Sequence, residues 1–311
     1  MLQNTKLANL ANARLAGART RTPRLNASMA CDTAFRIIAH RHLVALHENH
    51  EATCAGDVDA LHEMRIALTH LRTDIRFFSP MLEDATAKTI KDELKWLNTQ
   101  TGSVRDLDVA IERIKTIVTE REEDIRCFQS WEARRGESHR RLARALRSAR
   151  YRRLIEDTSA WIESGPWSTK RGKGAAKQRA LPVVAYAAGR LAEWEKKLLK
   201  RSRKLRDMDT EERHQLRLFN KRLNYSIQSL EDLFSDRRFS EQKAALKYLK
   251  RAQRCLGQLN DDVNGHALAA ALKREGVETP FKFLGPKREK RLLKTAAAAY
   301  DKLAALEPFQ G

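Results

Sequence analysis

From Asp32 onward, apolar residues recur at helical spacing almost without a break, and few glycines or prolines fall inside the periodic segments. That pattern confines the chain to an all-α fold. It predicts helices over 32–50, 57–79, 83–100, 104–118 and 121–163, separated by turn chemistry such as Ala55-Gly56-Asp57 and Thr101-Gly102-Ser103. A second series follows over 181–206, 210–234, 238–257, 261–275 and 286–306. Between the two runs lies a Gly-, Lys- and Arg-rich stretch with Gly165-Pro166, Gly172 and Gly174, which reads as a linker over 164–180. The implied organisation is two bundles of antiparallel helices, 31–163 and 181–311. Residues 1–30 precede them as a basic tail without an acidic side chain before Asp32, carrying Lys6, Arg14, Arg19, Arg21 and Arg24. The spacing of Leu2, Leu7 and Leu10 also admits an amphipathic or targeting segment.

Charge narrows the partner. Of 311 residues, 60 are Lys or Arg and 40 are Asp or Glu, for a formal net charge of +20. A surplus of that size attracts polyanions whether or not a specific site exists. Hydrophobic residues at 42% suffice for a packed core, whereas aromatics at 6% leave few rings for stacking on single-stranded bases. No apolar run reaches the roughly 18 residues of a membrane span, so a soluble protein without membrane partners is expected. Cys31, Cys54, Cys127 and Cys255 share no spacing, which argues against a zinc knuckle or a disulfide framework and fits a reducing cytoplasm.

The two helical series contain a duplicated segment. Leu61-His62-Glu63-Met64-Arg65-Ile66-Ala67-Leu68-Thr69-His70-Leu71-Arg72 aligns with Arg213-His214-Gln215-Leu216-Arg217-Leu218-Phe219-Asn220-Lys221-Arg222-Leu223-Asn224, each with a histidine three residues before an arginine. In the first copy His62, Arg65, Thr69, Arg72 and Arg76 fall on a stripe about 80° wide at 3.6 residues per turn. Leu61, Met64, Leu68, Leu71, Ile75 and Phe78 occupy the adjoining face. The second copy places His214, Arg217, Lys221, Asn224 and Gln228 on the stripe and Leu216, Phe219, Leu223, Ile227 and Leu230 beside it. Each helix should therefore pack by one side and carry cations along the border. Related by a pseudo-twofold, the two ridges would meet at a shared groove.

These residues resemble the CHAD domains, the conserved histidine α-helical domains, over about residues 30–306. The likeness rests on Leu61-His62-x-Met64-Arg65-Ile66 with Leu71-Arg72, and on His214-x-Leu216-Arg217 with Lys221-Arg222-Leu223 and Tyr225. A further motif, Gly102-Ser103-Val104-Arg105-Asp106-Leu107-Asp108-Val109, is echoed by Leu256-Gly257-Gln258-Leu259-Asn260-Asp261-Asp262. The resemblance implies two pseudo-symmetric antiparallel four-helix bundles around a basic central cavity, binding of inorganic polyphosphate and, in some members, association with polyphosphate granules. It also marks departures. Thr69 stands where the family tends to have a basic residue, and Leu218 and Asn224 stand where it tends to have Lys and Arg. Many members follow a triphosphate-tunnel catalytic domain, but the helical series leaves no room here for that barrel, so the resemblance implies a stand-alone binder rather than an enzyme.

The chemistry of the ridges suits a phosphate chain. Arginine offers a planar fork to two oxygens, lysine adds a mobile point charge, and His62 and His214 can donate from a ring nitrogen. Arg105 joins this set, with Asp106 and Asp261 expected near helix starts as capping or orienting carboxylates. Two further basic faces are candidate walls: Arg140, Arg144 and Arg147 within 134–153, and Arg190, Lys197 and Lys200, continued by Lys204, before the second repeat. His40, His47 and His50 could share a face, but no carboxylate or cysteine completes a metal-ligand spacing, so neither a metal nor another cofactor is expected. Two other readings remain open at this level: a nucleic-acid-binding module, and a metal-dependent phosphohydrolase using the histidines with Asp106 or Asp261.

Overall fold

The computed structural model of the chain describes residues 23–117, 119–170, 173–234, 239–277 and 282–307. Among them the architecture is all-α, with no strand beyond an isolated bridge between Ala30 and Pro182. In chain order the helices are α1 (Cys31–Glu48), α2 (His50–Cys54), α3 (Val58–Phe77), α4 (Ser79–Leu82), α5 (Ala85–Lys115) and α6 (Glu122–Leu146). They continue as α7 (Ala149–Ser164), α8 (Lys173–Ala180), α9 (Val183–Ser202), α10 (Thr210–Ser229), α11 (Phe239–Arg274) and α12 (Pro286–Ala304). The helices gather into two compact units. One comprises the described residues within Met1–Ile114 and Gln129–Val183, the other those within Lys115–Phe128 and Val184–Gly311. The basic tail expected over 1–30 lies mostly outside the described residues; within 23–30 Leu25 is buried, whereas Pro23, Arg24 and residues 26–28 are exposed.

In the first unit α1 lies against α3 and α7, and α8 lies against α1 and α4. The α3 helix starts where Asp57 accepts hydrogen bonds from the Asp59 and Ala60 amides, both at 2.8 Å. Its Leu61, Met64, Leu68 and Leu71 are fully buried, as the apolar stripe requires. The stretch expected as a linker belongs to this unit. A short 3₁₀ turn over Pro166–Ser168 seats Trp167 in the core among Phe35 and Trp161. Asp84 fixes the turn from across the unit: one oxygen caps α5 at the Ala87 amide, and the other accepts from the Trp161 indole at 3.1 Å and the Trp167 amide at 3.0 Å. At Gly165 a Cβ would stand 2.5 Å from the Trp161 carbonyl, so here glycine serves close approach rather than flexibility.

Two expected turns are helix. Thr101-Gly102-Ser103 lies inside the 31-residue α5, and the Gly257 region lies inside the 36-residue α11. The reverse occurs at 121–163, where the chain breaks after Leu146 and Ser148 caps α7. In the second unit α10 packs on α11 and α11 on α12. Asp209 and Glu212 form a reciprocal capping box at the start of α10. A buried polar knot then fixes the helices' register: Asn220 donates to the Leu249 carbonyl and the Gln253 side chain, and accepts from the Tyr300 hydroxyl.

Removing the Trp167 ring leaves a large cavity, removes the indole's hydrogen bond to the Trp161 carbonyl and unseats the Gly165 turn. Trp167→Ala is expected to destabilise the first unit by about 3–5 kcal/mol, read as a lowered midpoint in urea denaturation, while Trp96→Ala, at a half-buried position, is expected to cost much less.

Candidate functional site: two cationic helix borders

Each unit carries one of the predicted ridges on a helix border. On α3, His62 and Arg76 are exposed, and Arg65, Thr69 and Arg72 are half-buried beside the packed face. Arg65 lies over α5, with Nη1 3.5 Å from the Thr101 hydroxyl, at the limit of a hydrogen bond. A Cβ on Gly102 would meet the same nitrogen at 3.2 Å. Gly102 therefore sits in mid-helix to admit a guanidinium, not to reverse the chain. Burial pulls the pKa of Arg65 down, Asp106 opposes that and Arg105 adds to it, which places three predicted residues within one another's field. Burial alone lowers the pKa of Arg72, with no ion pair to offset it. Thr69 adds no group to the ridge, because its hydroxyl donates to the Arg65 carbonyl at 2.7 Å.

The α10 border is built differently. His214 Nδ1 lies 2.8 Å from Asn260 Oδ1 on α11; an amide oxygen only accepts, so Nδ1 carries the proton. Arg217 is half-buried, and its Nε is buried without a hydrogen-bond partner. Its charge lowers the pKa of Tyr225, against the larger upward effect of burial. Lys221 stands 5.2 Å over the same tyrosine ring. Asn224 is buried with its Oδ1 unpartnered, and Gln228 is half-buried.

The other predicted basic residues separate from these by their pairing. On α6, Arg140 and Arg144 are exposed and both bridge Glu137, at 3.0 and 3.2 Å. With Arg147 they line an open groove of about 630 Å³ that faces Cys54, Ala55 and Gly56. On α9, Arg190 and Lys197 both pair with Glu193, while Lys200 is exposed. These carboxylates partly neutralise the predicted walls. Arg72 and Arg217 Nε on the ridges have no such carboxylate.

Asp106 and Asp261 do not take the expected place at helix starts, since both sit exposed in the middle of long helices, where all neighbouring amides already bond within the helix. The buried orienting carboxylate is Asp108, which accepts from Arg135 Nε and His139 Nε2 on α6, each at 2.8 Å. Burial pushes its pKa up, but the bonds and charges of His139 and Arg135 outweigh that and hold it below the usual carboxylate range. Asp108 stood within the sequence motif, yet its partners lie 27 and 31 residues away and carry no local signal. Asn260 was likewise visible only as the echo of Arg105. His40, His47 and His50 do not converge: His40 pairs with Glu163 at 2.9 Å, and His50 contacts Glu51 and the Leu146 carbonyl.

An all-helical fold whose repeated His-x-x-Arg helices carry half-buried cations along their borders defines a class of helical domain. The profile of the CHAD domain matches residues 37–270, and the chain belongs to that family. The crystal structure of the CHAD domain from the plant Ricinus communis shares the fold at 22% identity and a TM-score of 0.70, over 93% of this chain and 97% of that one. PptA from Streptomyces chartreusis is similar at 12% identity and a TM-score of 0.50, over 89% and 96%. No curated protein matches the sequence. No helix among the described residues is long and apolar enough to cross a membrane.

A buried acid on α9 gives the second unit a pH dependence. Glu195 is 6% exposed, and burial pushes its pKa from 4.5 up to about 7. Between those values the folded chain holds a proton that the unfolded chain has released, so stability falls as pH rises through that window. Glu195→Gln is expected to remove this fall and to gain on the order of 1–2 kcal/mol at pH 8 relative to pH 4.5. Urea denaturation of both proteins at the two pH values checks it, and parallel pH profiles would contradict it.

Proposed function

We propose that this CHAD protein binds inorganic polyphosphate along the His62 and His214 ridges and holds it without turning it over. The observation that carries the reading is the unpaired state of half-buried cations. Arg72 has no acceptor and Arg217 Nε is buried without one, while exposed arginines on α6 have found a carboxylate. A guanidinium cannot shed its charge, so a ridge of partly dehydrated guanidiniums is completed by an external polyanion. Polyphosphate carries about one negative charge per phosphate and little else to recognise, which suits a row of donors without base-reading groups. The rings also favour it over nucleic acid: Trp131, Trp161, Trp167 and Trp194 are buried, and Trp96 lies under the Arg150 guanidinium at 4.2 Å. Donors spread along a linear ligand bind its ground state evenly, which gives affinity without catalysis. Such binding would suit a cytoplasmic protein held at polyphosphate granules.

Competition decides between polyanions. Labelled long-chain polyphosphate is expected to stay bound when RNA or duplex DNA is added at equal phosphate concentration, and displacement would favour a nucleic-acid module instead. Phosphate release with Mg²⁺ or Mn²⁺ is expected to stay at background; sustained turnover lost in His62→Ala would make the protein a phosphohydrolase.

The double variant Arg65→Ala/Arg217→Ala is expected to weaken binding and reduce the log–log salt slope by roughly 1–2, with the circular dichroism spectrum retained. Gly102→Val separates position from charge. It leaves net charge unchanged but crowds Arg65 Nη1, and it is expected to lower affinity several-fold, whereas Gly257→Val, where no atom lies within 4 Å of the added Cβ, is expected to have little effect.

A further inference from the structure

The first unit holds a second cluster, on a different side of α3 from the ridge. His70 and Asp74 stand four residues apart on α3, roughly 140° around the helix from the middle of the His62–Arg76 stripe at 100° per residue. His42 comes from α1, the helix packed against α3. Its Nε2 is 3.0 Å from Asp74 Oδ2, and its ring stacks on that of His70 with centroids 4.9 Å apart. One potential donor atom from each of the three residues lies within 4.8 Å of the others, and no other group of three His, Cys, Asp or Glu converges in this way among the described residues.

Two observations set the cluster apart from a hydrogen-bonded trio. The Asp74 side chain is 2% exposed, so a carboxylate has been taken almost wholly out of water. His42 Nε2 is also buried and makes no hydrogen bond, although that carboxylate stands at bonding distance, so the two atoms approach each other without the alignment of donor and acceptor. Leaving such a nitrogen unpaired costs about 1–3 kcal/mol, which a shared cation would offset.

We propose that His42, His70 and Asp74 form a binding site for one divalent metal ion of the borderline-soft, zinc class. Two imidazoles and one carboxylate are a donor set that suits zinc and its first-row neighbours, whereas calcium and magnesium take oxygen ligands. Bonds of about 2.0–2.2 Å place the ligands of a tetrahedral ion roughly 3.4 Å apart. The His42–Asp74 edge is already that short, and a rotation of the half-buried His70 ring closes the rest. The ion joins α1 to α3, the helix that bears the first ridge, and so stabilises the first unit by mass action. None of this depends on polyphosphate binding.

The test uses the full chain without an affinity tag, stripped with chelator and kept free of phosphate polymers. Zn²⁺ is titrated in competition with a chromogenic zinc indicator, and thermal melting is followed in parallel. One zinc per chain and a raised melting temperature are expected, with affinity at least 10-fold lower in His70→Ala and in His42→Ala. Cys54→Ser is the control, because Cys54 Sγ lies 3.8 Å from His50 Nε2 and offers a rival site; it should bind as the unaltered chain does. The proposal is overturned if the unaltered chain takes up no stoichiometric zinc, if the histidine variants bind unchanged, or if Cys54→Ser is the variant that loses it. Should a histidine variant fail to fold, Co²⁺ added to the unaltered chain decides: tetrahedral visible bands without thiolate charge transfer support the site, and an octahedral or thiolate spectrum refutes it.

Discussion

Burying one face of a helix obliges the residues on its border to leave water in part, and on α3 and α10 those residues are cations. The apolar faces that drive the packing, Leu61, Met64 and Leu68 on one helix and Leu216, Leu223 and Ile227 on the other, are at most 1% exposed. Arg65, Arg72 and Arg217 are carried into the boundary with them. Arginine keeps its proton there, so the cost of desolvation stays on the books until an acceptor arrives. The protein supplies little: a long contact from Thr101 to Arg65 and nothing to Arg217 Nε. An unsatisfied charged donor costs a few kcal/mol, whereas an exposed pair such as Arg144–Glu137 is worth about 0–1. That difference is why the proposed reading places the polyanion on the ridges rather than on the more numerous surface arginines.

Helical class and the composition of both ridges were legible in the sequence because each depends on periodicity along one helix. Leu61 to Phe78 and Leu216 to Leu230 bury as their spacing predicts, and the half-burial of Arg65, Arg72 and Arg217 follows from lying next to those faces. The sequence failed where a residue's role depends on a partner far away in the chain. Gly102 carries the local signature of a turn, and only the arrival of Arg65 from α3 shows why a glycine stands inside a continuous helix. The 164–180 stretch has a linker's composition, but Trp167 inside it is core, held by Asp84 from 83 residues away. Asp106 drew attention through its place after a supposed turn, whereas Asp108 does the orienting because Arg135 and His139 come to it from α6.

The two ridges are not equivalent, and the difference is more than the replacement of individual cations. Asn260 fixes the proton of His214 on Nδ1. The nitrogen left to face an approaching phosphate is Nε2, whereas the Nδ1 proton is committed to Asn260. Exposed His62 has no such fixed partner and can turn either nitrogen outward. The first border thus relies on permanently charged guanidiniums at Arg65, Arg72 and Arg76. The second, with Asn224 on its stripe, leans on Arg217 and on Lys221, with His214 held by Asn260.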